Sequence, residues 1–187
     1  MEEKIFSPLE MKHSAYSWKA PFENDYALGH NSKGEAYEKD KDNEPRAPST
    51  LETTLDDYTR FTEAVLNNRI ISATSTKTMF TPQLRLRSLQ QHGPLRFRDS
   101  TLNDGIELSS ALGWLSLKSP YGTGVFKEGH GDGFQHYSIL FPGKGTGIVI
   151  MTNSDNGESI FKELLELTIG DRYTPWYWEN YIPYNMK

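Results

Sequence analysis

The sequence predicts an α+β fold, with helices first and an antiparallel sheet closed by a C-terminal helix afterwards. Three observations indicate this order. Apolar residues recur at spacings of three and four over residues 53–66, which is the helical period. Short apolar runs separated by Gly and Pro turns follow between residues 111 and 152, as in strands. A second helical stripe then begins at Ile160 and ends at Gly170, where a C-terminal cap belongs.

The first 105 residues contain the predicted helices. Ile5, Phe6 and Pro8 indicate the last turn of a helix, and residues 24–48 are polar and predict a long surface loop. Thr53 or Thr54 can cap the next helix. The buried stripe of this helix is predicted to contain Leu55, Tyr58, Phe61, Thr62, Val65 and Leu66. Asp56 and Asp57 lie in its first turn. A second helix is expected over residues 73–80, whereas residues 83–104 have no steady period.

The region after residue 105 predicts the sheet. Strands are expected at residues 111–117, 124–128, 137–141 and 147–152. The short turn at residues 142–146 implies that the last two strands are antiparallel. The continuous apolar run at residues 148–151 favours a strand covered on both faces. We therefore divide a single domain, residues 1–187, into a helical part (1–105), strands and closing helix (106–170) and an aromatic tail (171–187).

Composition narrows the function classes. The chain has 187 residues, with 25 Asp+Glu against 20 Lys+Arg and no basic stripe, which argues against nucleic-acid binding. Since it has no cysteine, disulfides and thiol nucleophiles are excluded. The chain lacks an apolar run of about 18 residues, so no membrane span is expected. The N-terminus has no secretory h-region and predicts no compartment. No cofactor is expected.

Glycines surround a histidine at Gly129-His130-Gly131-Asp132-Gly133. Two interpretations of this segment stay open from the residues alone. The glycines can form a tight turn in which the histidine only donates or accepts hydrogen bonds. Alternatively, His130, Asp132 and His136 could form a metal cluster, although spacings of two and four across a strand turn do not clearly converge.

The C-terminal tail is rich in aromatic residues, and these could either pack on the domain or stack on a ligand. They are Trp176, Tyr177, Trp178, Tyr181 and Tyr184. We favour packing, because aromatic rings supply much of the buried area of a core.

Four stretches resemble the C-terminal half of the serine β-lactamase and penicillin-binding-protein-like family, in its class C, esterase and D-aminopeptidase branch. IFSPLEMKHSAY resembles that family's IF-x-PLGM loop, with Glu10 replacing Gly. APSTLETTLDDYTRFTEAVLNN resembles a helix entry, and KTMFTPQ resembles its x-x-M-x-TPQ segment. ALGWLSL followed by EGHGDGFQHYSILFPGKGTGIVIMTNSDNG resembles the GLGW … GHGG … TNSD strands. The tail DRYTPWYWENYIPY resembles the ending of some bacterial members.

The resemblance implies a β-lactamase/transpeptidase-like fold, present only in part. Complete relatives open an ester, amide or β-lactam through an acyl-serine, using a Ser-x-x-Lys upstream of the IF-x-PLGM loop. By resemblance, His130 contacts a small-molecule or peptide substrate, and the Gly133 N–H forms half of an oxyanion hole. Gly131 and Asp132 lie between them, and Asp132 departs from the usual Gly. The resemblance thus predicts that the chain is the latter half of a hydrolase and that it is inactive alone, because it lacks that upstream Ser-x-x-Lys.

Two matches to catalytic motifs are assigned to capping and packing. Ser159-Ile160-Phe161-Lys162 spells Ser-x-x-Lys but lies on the closing helix, with Phe161 in its apolar stripe. Ser154-Asp155-Asn156 precedes it, in the wrong order for class A enzymes, and such residues commonly start helices after a strand. No catalytic residue is therefore assigned on this chain.

Missing first strands would leave an open sheet edge and an uncovered apolar face, and such surfaces pair with other chains. We therefore expect a homo-oligomer, or docking with a complementing N-terminal segment. The alternative is a non-catalytic binding module that retains the groove around His130. A gene remnant without an independent role also stays open.

Overall fold

A six-stranded antiparallel sheet, in which every strand pairs with its neighbours along the chain, forms the centre of the fold. The computed structural model describes residues 1–41 and 43–186; Asp42, in the predicted surface loop, and Lys187, at the end of the tail, lie outside the described residues. The strands are β1 (Leu84–Arg85), β2 (Ser109–Ser110), β3 (Leu115–Ser119), β4 (Gly122–Gly131), β5 (Phe134–Phe141) and β6 (Thr146–Thr152).

Within residues 1–41 and 43–186, four α-helices accompany the sheet: α1 (Leu55–Leu66), α2 (Ala73–Phe80), α3 (Phe161–Thr168) and α4 (Trp176–Glu179). A π-helical turn spans Glu2–Phe6, and short 3-10 turns lie at Ala20–Phe22, Pro94–Phe97, Gly157–Ile160 and Tyr184–Met186. No helix among residues 1–41 and 43–186 combines the length and apolar character needed to cross a bilayer.

The two faces of the sheet bury different layers. Paired residues such as Phe126 and Ile139 point to one face, where they pack with Tyr137, Phe161 of α3 and Trp176 of α4. Their neighbours point the opposite way because side chains alternate along a strand. Val125 and Leu140 therefore face the second layer, which contains Val65 of α1 and Phe80 of α2.

Most predicted helix bounds are confirmed. Thr54 caps α1 by accepting a hydrogen bond from the Asp57 N–H at 3.2 Å, and α2 spans the expected residues. The closing helix α3 is followed by Gly170 at φ +70°, the left-handed conformation that glycine adopts without steric cost. The antiparallel pairing of the last two strands is also confirmed.

The strand predicted at residues 111–117 is wrong in its first half. Residues 109–110 form β2 and β3 begins only at Leu115, so the strand is interrupted by a turn. Gly113 lies in this turn at φ +78°, and the Ala111 N–H donates to the Trp114 carbonyl. The apolar pattern of residues 111–117 does not distinguish a strand from a tight turn whose side chains are partly buried.

The run predicted to be covered on both faces, residues 148–151, is β6 at the edge of the sheet. Ile150 is buried, whereas Ile148, Val149 and Met151 are half-buried. Both faces of β6 do meet neighbouring layers, with Ile148 and Ile150 in the α3 layer and α1 against the strand. An edge position exposes part of each side chain, which explains the difference.

Asp57 anchors the N-terminal segment to α1, beyond the helix-dipole role predicted for it. Its carboxylate is buried and accepts hydrogen bonds from the His13 N–H at 2.7 Å and the Ser14 hydroxyl at 2.8 Å. Asp56 is exposed and pairs with Arg60 one turn later.

Replacing Asp57 by alanine is expected to lower the free energy of unfolding by about 2–3 kcal/mol, because the buried Ser14 hydroxyl and the part-buried His13 N–H lose a charged acceptor. Urea denaturation measures this loss. Asp56→Ala is the matched control and should cost about 0.5 kcal/mol or less, as expected for an exposed pair. Equal losses in both variants would contradict the anchoring role.

Candidate functional site

The segment around His130 forms the end of the β4–β5 hairpin. Gly131 pairs with Phe134, so Asp132 and Gly133 are the two turn residues, as the tight-turn interpretation requires. Gly133 has φ +70°, and a Cβ there would lie 2.2 Å from the His30 nitrogen. The predicted surface loop therefore packs directly on this turn, and only glycine fits the contact.

The Gly133 N–H, which the resemblance assigns to an oxyanion hole, already has a partner. It donates to Oδ1 of Asp155 at 3.0 Å. The other oxygen of Asp155 accepts from the Tyr37 hydroxyl at 2.7 Å, so the carboxylate bridges the turn and the loop. An incoming oxyanion would have to displace this carboxylate.

His130 lies beside the turn with its side chain 47% exposed. Its Nε2 lies 3.3 Å from Oε2 of Glu128 and 3.2 Å from the Tyr181 hydroxyl. Its Nδ1 lies 3.7 Å from Oε2 of Glu158. The hydrogen bond to Glu128 raises the pKa of His130 above its ordinary value, partly opposed by burial, and this favours the imidazolium form near neutral pH.

Glu128 is mostly buried, with 9% of its side chain exposed. The Tyr181 hydroxyl donates to its Oε2 at 2.5 Å. Burial raises the pKa of Glu128, but the hydrogen bonds from His130, Tyr181 and Gln91 and the charge of His130 together outweigh burial and leave the pKa lowered. Glu128 is therefore an ionised carboxylate held by three donors.

The outer part of β4 has one unpaired edge. β3 pairs with β4 only from Gly122 to Phe126, while β5 pairs with it as far as Gly131. Among the described residues, positions 127–131 therefore form strand pairs on the β5 side alone. Such an edge can accept an extended chain through main-chain hydrogen bonds. His130 is located on this open stretch.

A second carboxylate, Glu179, is buried beneath the site. It is 5% exposed, and neither of its oxygens has a hydrogen-bond partner among the described residues. Burial raises the pKa of Glu179 well above its ordinary value, and the nearby charge of Glu128 adds to this effect. Glu179 thus retains its proton in the folded chain at a pH where the unfolded chain has lost it.

Glu179→Gln is expected to be increasingly stabilising, relative to wild type, as the pH rises. Below about pH 4.5 the carboxyl is protonated in both states, so the variants should differ least. Above it, the unfolded wild type ionises first, and wild-type stability falls toward the raised folded pKa. Urea unfolding at pH 4.5 and 8 measures the trend. Glu163→Gln, at an exposed position, is the control, and a pH-independent difference for Glu179→Gln would contradict the account.

The metal-cluster alternative is not supported by the geometry. His130 pairs with Gln135, and cross-strand partners share a face. His136 is the next residue along β5 and therefore points to the opposite face. No group of three or more potential ligands that could hold a metal occurs within residues 1–41 and 43–186.

The two motif matches have structural partners. The Ser159 hydroxyl donates to the Asn156 carbonyl at 2.7 Å, and Lys162 pairs with Glu166 at 2.6 Å. The Ser154 hydroxyl accepts from the Asn156 N–H at 3.1 Å, a capping contact at the end of β6. These contacts agree with the assignment of both motifs to capping and packing.

The aromatic tail divides into packed and exposed members. Trp176, Trp178 and Tyr181 are buried in the α3 layer, whereas Tyr177 and Tyr184 are exposed. Tyr181 also takes part in the site, which sequence analysis missed. Glu128 was missed as well, although its position two residues before His130 on a predicted strand places both on one face. Nothing in the sequence links Tyr181 to a residue 51 positions away.

Comparison with known proteins identifies the family. A family model described as Beta-lactamase matches residues 1–168. No curated protein matches the chain significantly. Among solved structures, the octameric penicillin-binding protein homologue from Pyrococcus abyssi is similar, with a TM-score of 0.64 and 18% identity over 93% of this chain. The match covers 38% of that structure's chain, so the present chain spans well under half of its length.

Proposed function

Because the chain belongs to the beta-lactamase family, we propose that it is the substrate-binding part of a serine hydrolase domain. The observation that carries this proposal is the unpaired edge of β4 at residues 127–131, which ends at the exposed ring of His130. The substrate is an ester, an amide or a β-lactam. It docks as an extended strand on this edge.

In the proposed complex, the imidazolium form of His130 donates a hydrogen bond from Nδ1 to the substrate carbonyl or carboxylate, while Nε2–H stays on Glu128. The Gly133 N–H is the candidate oxyanion donor, and its use requires Asp155 to move away. Acyl transfer would follow the usual course, in which a serine oxygen bonds to the carbonyl carbon and its proton passes through a base to the leaving group. Water then releases the acyl group.

The reactive serine of this reaction is not assigned to the chain. Ser159 and Lys162, the only spacing match weighed above, are bonded to other partners. We propose that the nucleophile comes from a complementing segment. The open edge of β6 is the proposed pairing site for that segment or for a second copy of the chain. The octameric state of the Pyrococcus abyssi homologue is consistent with the second-copy form.

The test is intact-mass measurement after incubation with a fluorophosphonate and, separately, with a penicillin. The chain alone is expected to gain no covalent adduct with either reagent. A stoichiometric adduct that disappears in Ser159→Ala would place the nucleophile on this chain and overturn the proposal. Adduct that persists in Ser159→Ala would also overturn it and point to another serine.

A non-catalytic binding module is the second candidate, favoured by the hydrogen bond between the Gly133 N–H and Asp155. A donor that is already occupied does not stabilise an oxyanion. Asp155→Ala frees this N–H and separates the two candidates. When complemented by a nucleophile-bearing segment, a hydrolase should retain turnover in this variant, whereas a binding module has none in either form.

A further inference from the structure

The side chain of His130 is held by a chain of contacts that reaches into the aromatic tail. Glu128 lies two residues before it on β4, on the same face of the strand. The Glu128 carboxylate oxygen that lies near His130 Nε2 also accepts a hydrogen bond from the Tyr181 hydroxyl. Tyr181 in turn packs its ring against His130, with the centroids 5.9 Å apart.

Tyr181 is fixed by its surroundings. It is buried, stacks on Trp176 at 5.6 Å and meets Phe161 edge-on at 5.8 Å. A buried ring with neighbours on two sides has little rotamer freedom. The Tyr181 hydroxyl is therefore held in place and fixes the position of the Glu128 carboxylate through their hydrogen bond. Glu128, in turn, is itself mostly buried. The imidazole is the most exposed of the three side chains, and its contacts to the other two hold it.

We propose that Glu128 and Tyr181 are positioning residues that fix the orientation and tautomer of His130 for substrate contact. The inference rests on the proposed function, in which His130 touches the substrate. Glu128 accepts from Nε2–H, so the neutral ring carries its proton on Nε2. Glu158 lies 3.7 Å from Nδ1, beyond hydrogen-bonding distance, so its charge favours the imidazolium form without fixing the other tautomer. The aromatic tail therefore belongs to the site rather than to the core alone.

The test follows the imidazole by nitrogen NMR and needs no substrate. In wild type, His130 is expected to lose its proton at a higher pH than an ordinary histidine, because its pKa is raised, and to adopt the Nε2–H tautomer once neutral. Glu128→Gln should lower its proton affinity roughly ten-fold or more, the effect of losing an adjacent carboxylate. The same variant should mix the two tautomers. Glu128→Asp, which retains the charge, should restore most of the affinity.

Tyr181→Phe should preserve the charge of Glu128 but loosen its position, giving mixed tautomers with a smaller change in affinity. Tyr184→Phe is the matched control, since Tyr184 lies on the same tail, is exposed, and donates its hydroxyl hydrogen bond to Glu163 of α3 at 2.7 Å. His130 should titrate as in wild type in that control. Unchanged titration and tautomer in Glu128→Gln would overturn the inference, as would equal effects of the Tyr184 and Tyr181 variants.

Failure of the positioning inference is distinguishable from failure of the proposed function. If ligand contact at His130 is absent while Glu128→Gln still alters the tautomer, only the proposed function is wrong. If a ligand perturbs His130 but neither variant changes its tautomer, only the positioning role is wrong.

Discussion

Gly133→Ala is expected to be among the most damaging substitutions in the chain. The left-handed backbone at this position costs an alanine about 1–2 kcal/mol. The new Cβ would also lie 2.2 Å from the backbone nitrogen of His30, and relieving such overpacking costs a further ~1–3 kcal/mol. The surface loop should therefore separate from the hairpin turn. Urea denaturation measures the fall in the free energy of unfolding.

Gly131→Ala is the matched control for this result. It lies two residues away on β4, its φ is not positive, and a Cβ there would have no neighbour within 4 Å. Its stability should stay within about 0.5 kcal/mol of wild type. If the two variants lost the same stability, the contact between the loop and the turn would not be the cause.

Phe161→Ala is the second large expected effect. The ring is fully buried between the sheet and the tail, 6.1 Å from Tyr137 and 5.8 Å from Tyr181 between centroids. Its removal leaves a cavity at the base of the site and should cost about 3–5 kcal/mol. Thermal or urea unfolding measures this loss.

The control for Phe161 lies on the same helix. Leu167 is 76% exposed, and its replacement by alanine should change the free energy of unfolding by less than about 0.5 kcal/mol. A small effect at Phe161 would contradict its position at the centre of the core. Because Tyr181 meets the same ring edge-on, Phe161→Ala should also disturb His130.

The parts of the fold that could be predicted are those with local signals. The period of residues 55–66, the cap at Thr54 and the left-handed Gly170 depend on neighbours in sequence, and each was located correctly. Residues 83–104 have no such signal because β1 is two residues long and the only helix in the remainder of this described stretch is the short 3-10 turn at Pro94–Phe97. The position of β1 depends on its pairing with β2, and no local sequence pattern predicts that contact.

The candidate site divides in the same way. His130 and its glycines form a visible motif, and Glu128 was within reach of strand alternation. Tyr181 and Asp155 were not, because their roles arise when the tail and the β6 turn fold back on the hairpin. The burial of Glu179 could not be predicted for a related reason. A charged residue in an aromatic tail is expected at the surface, and only the tertiary packing shows that it is buried.

The most direct test of the central claim is whether an acyl substrate binds on the open edge of β4. Backbone amide NMR of the chain, titrated with a penicillin or a peptide ending in a D-amino acid, locates the contact. We predict saturable chemical-shift changes at residues 127–133. The affinity obtained from them should fall at least ten-fold in His130→Ala and stay unchanged in the distant control Leu167→Ala. Shifts confined to other surfaces, or binding unchanged by His130→Ala, would contradict the account.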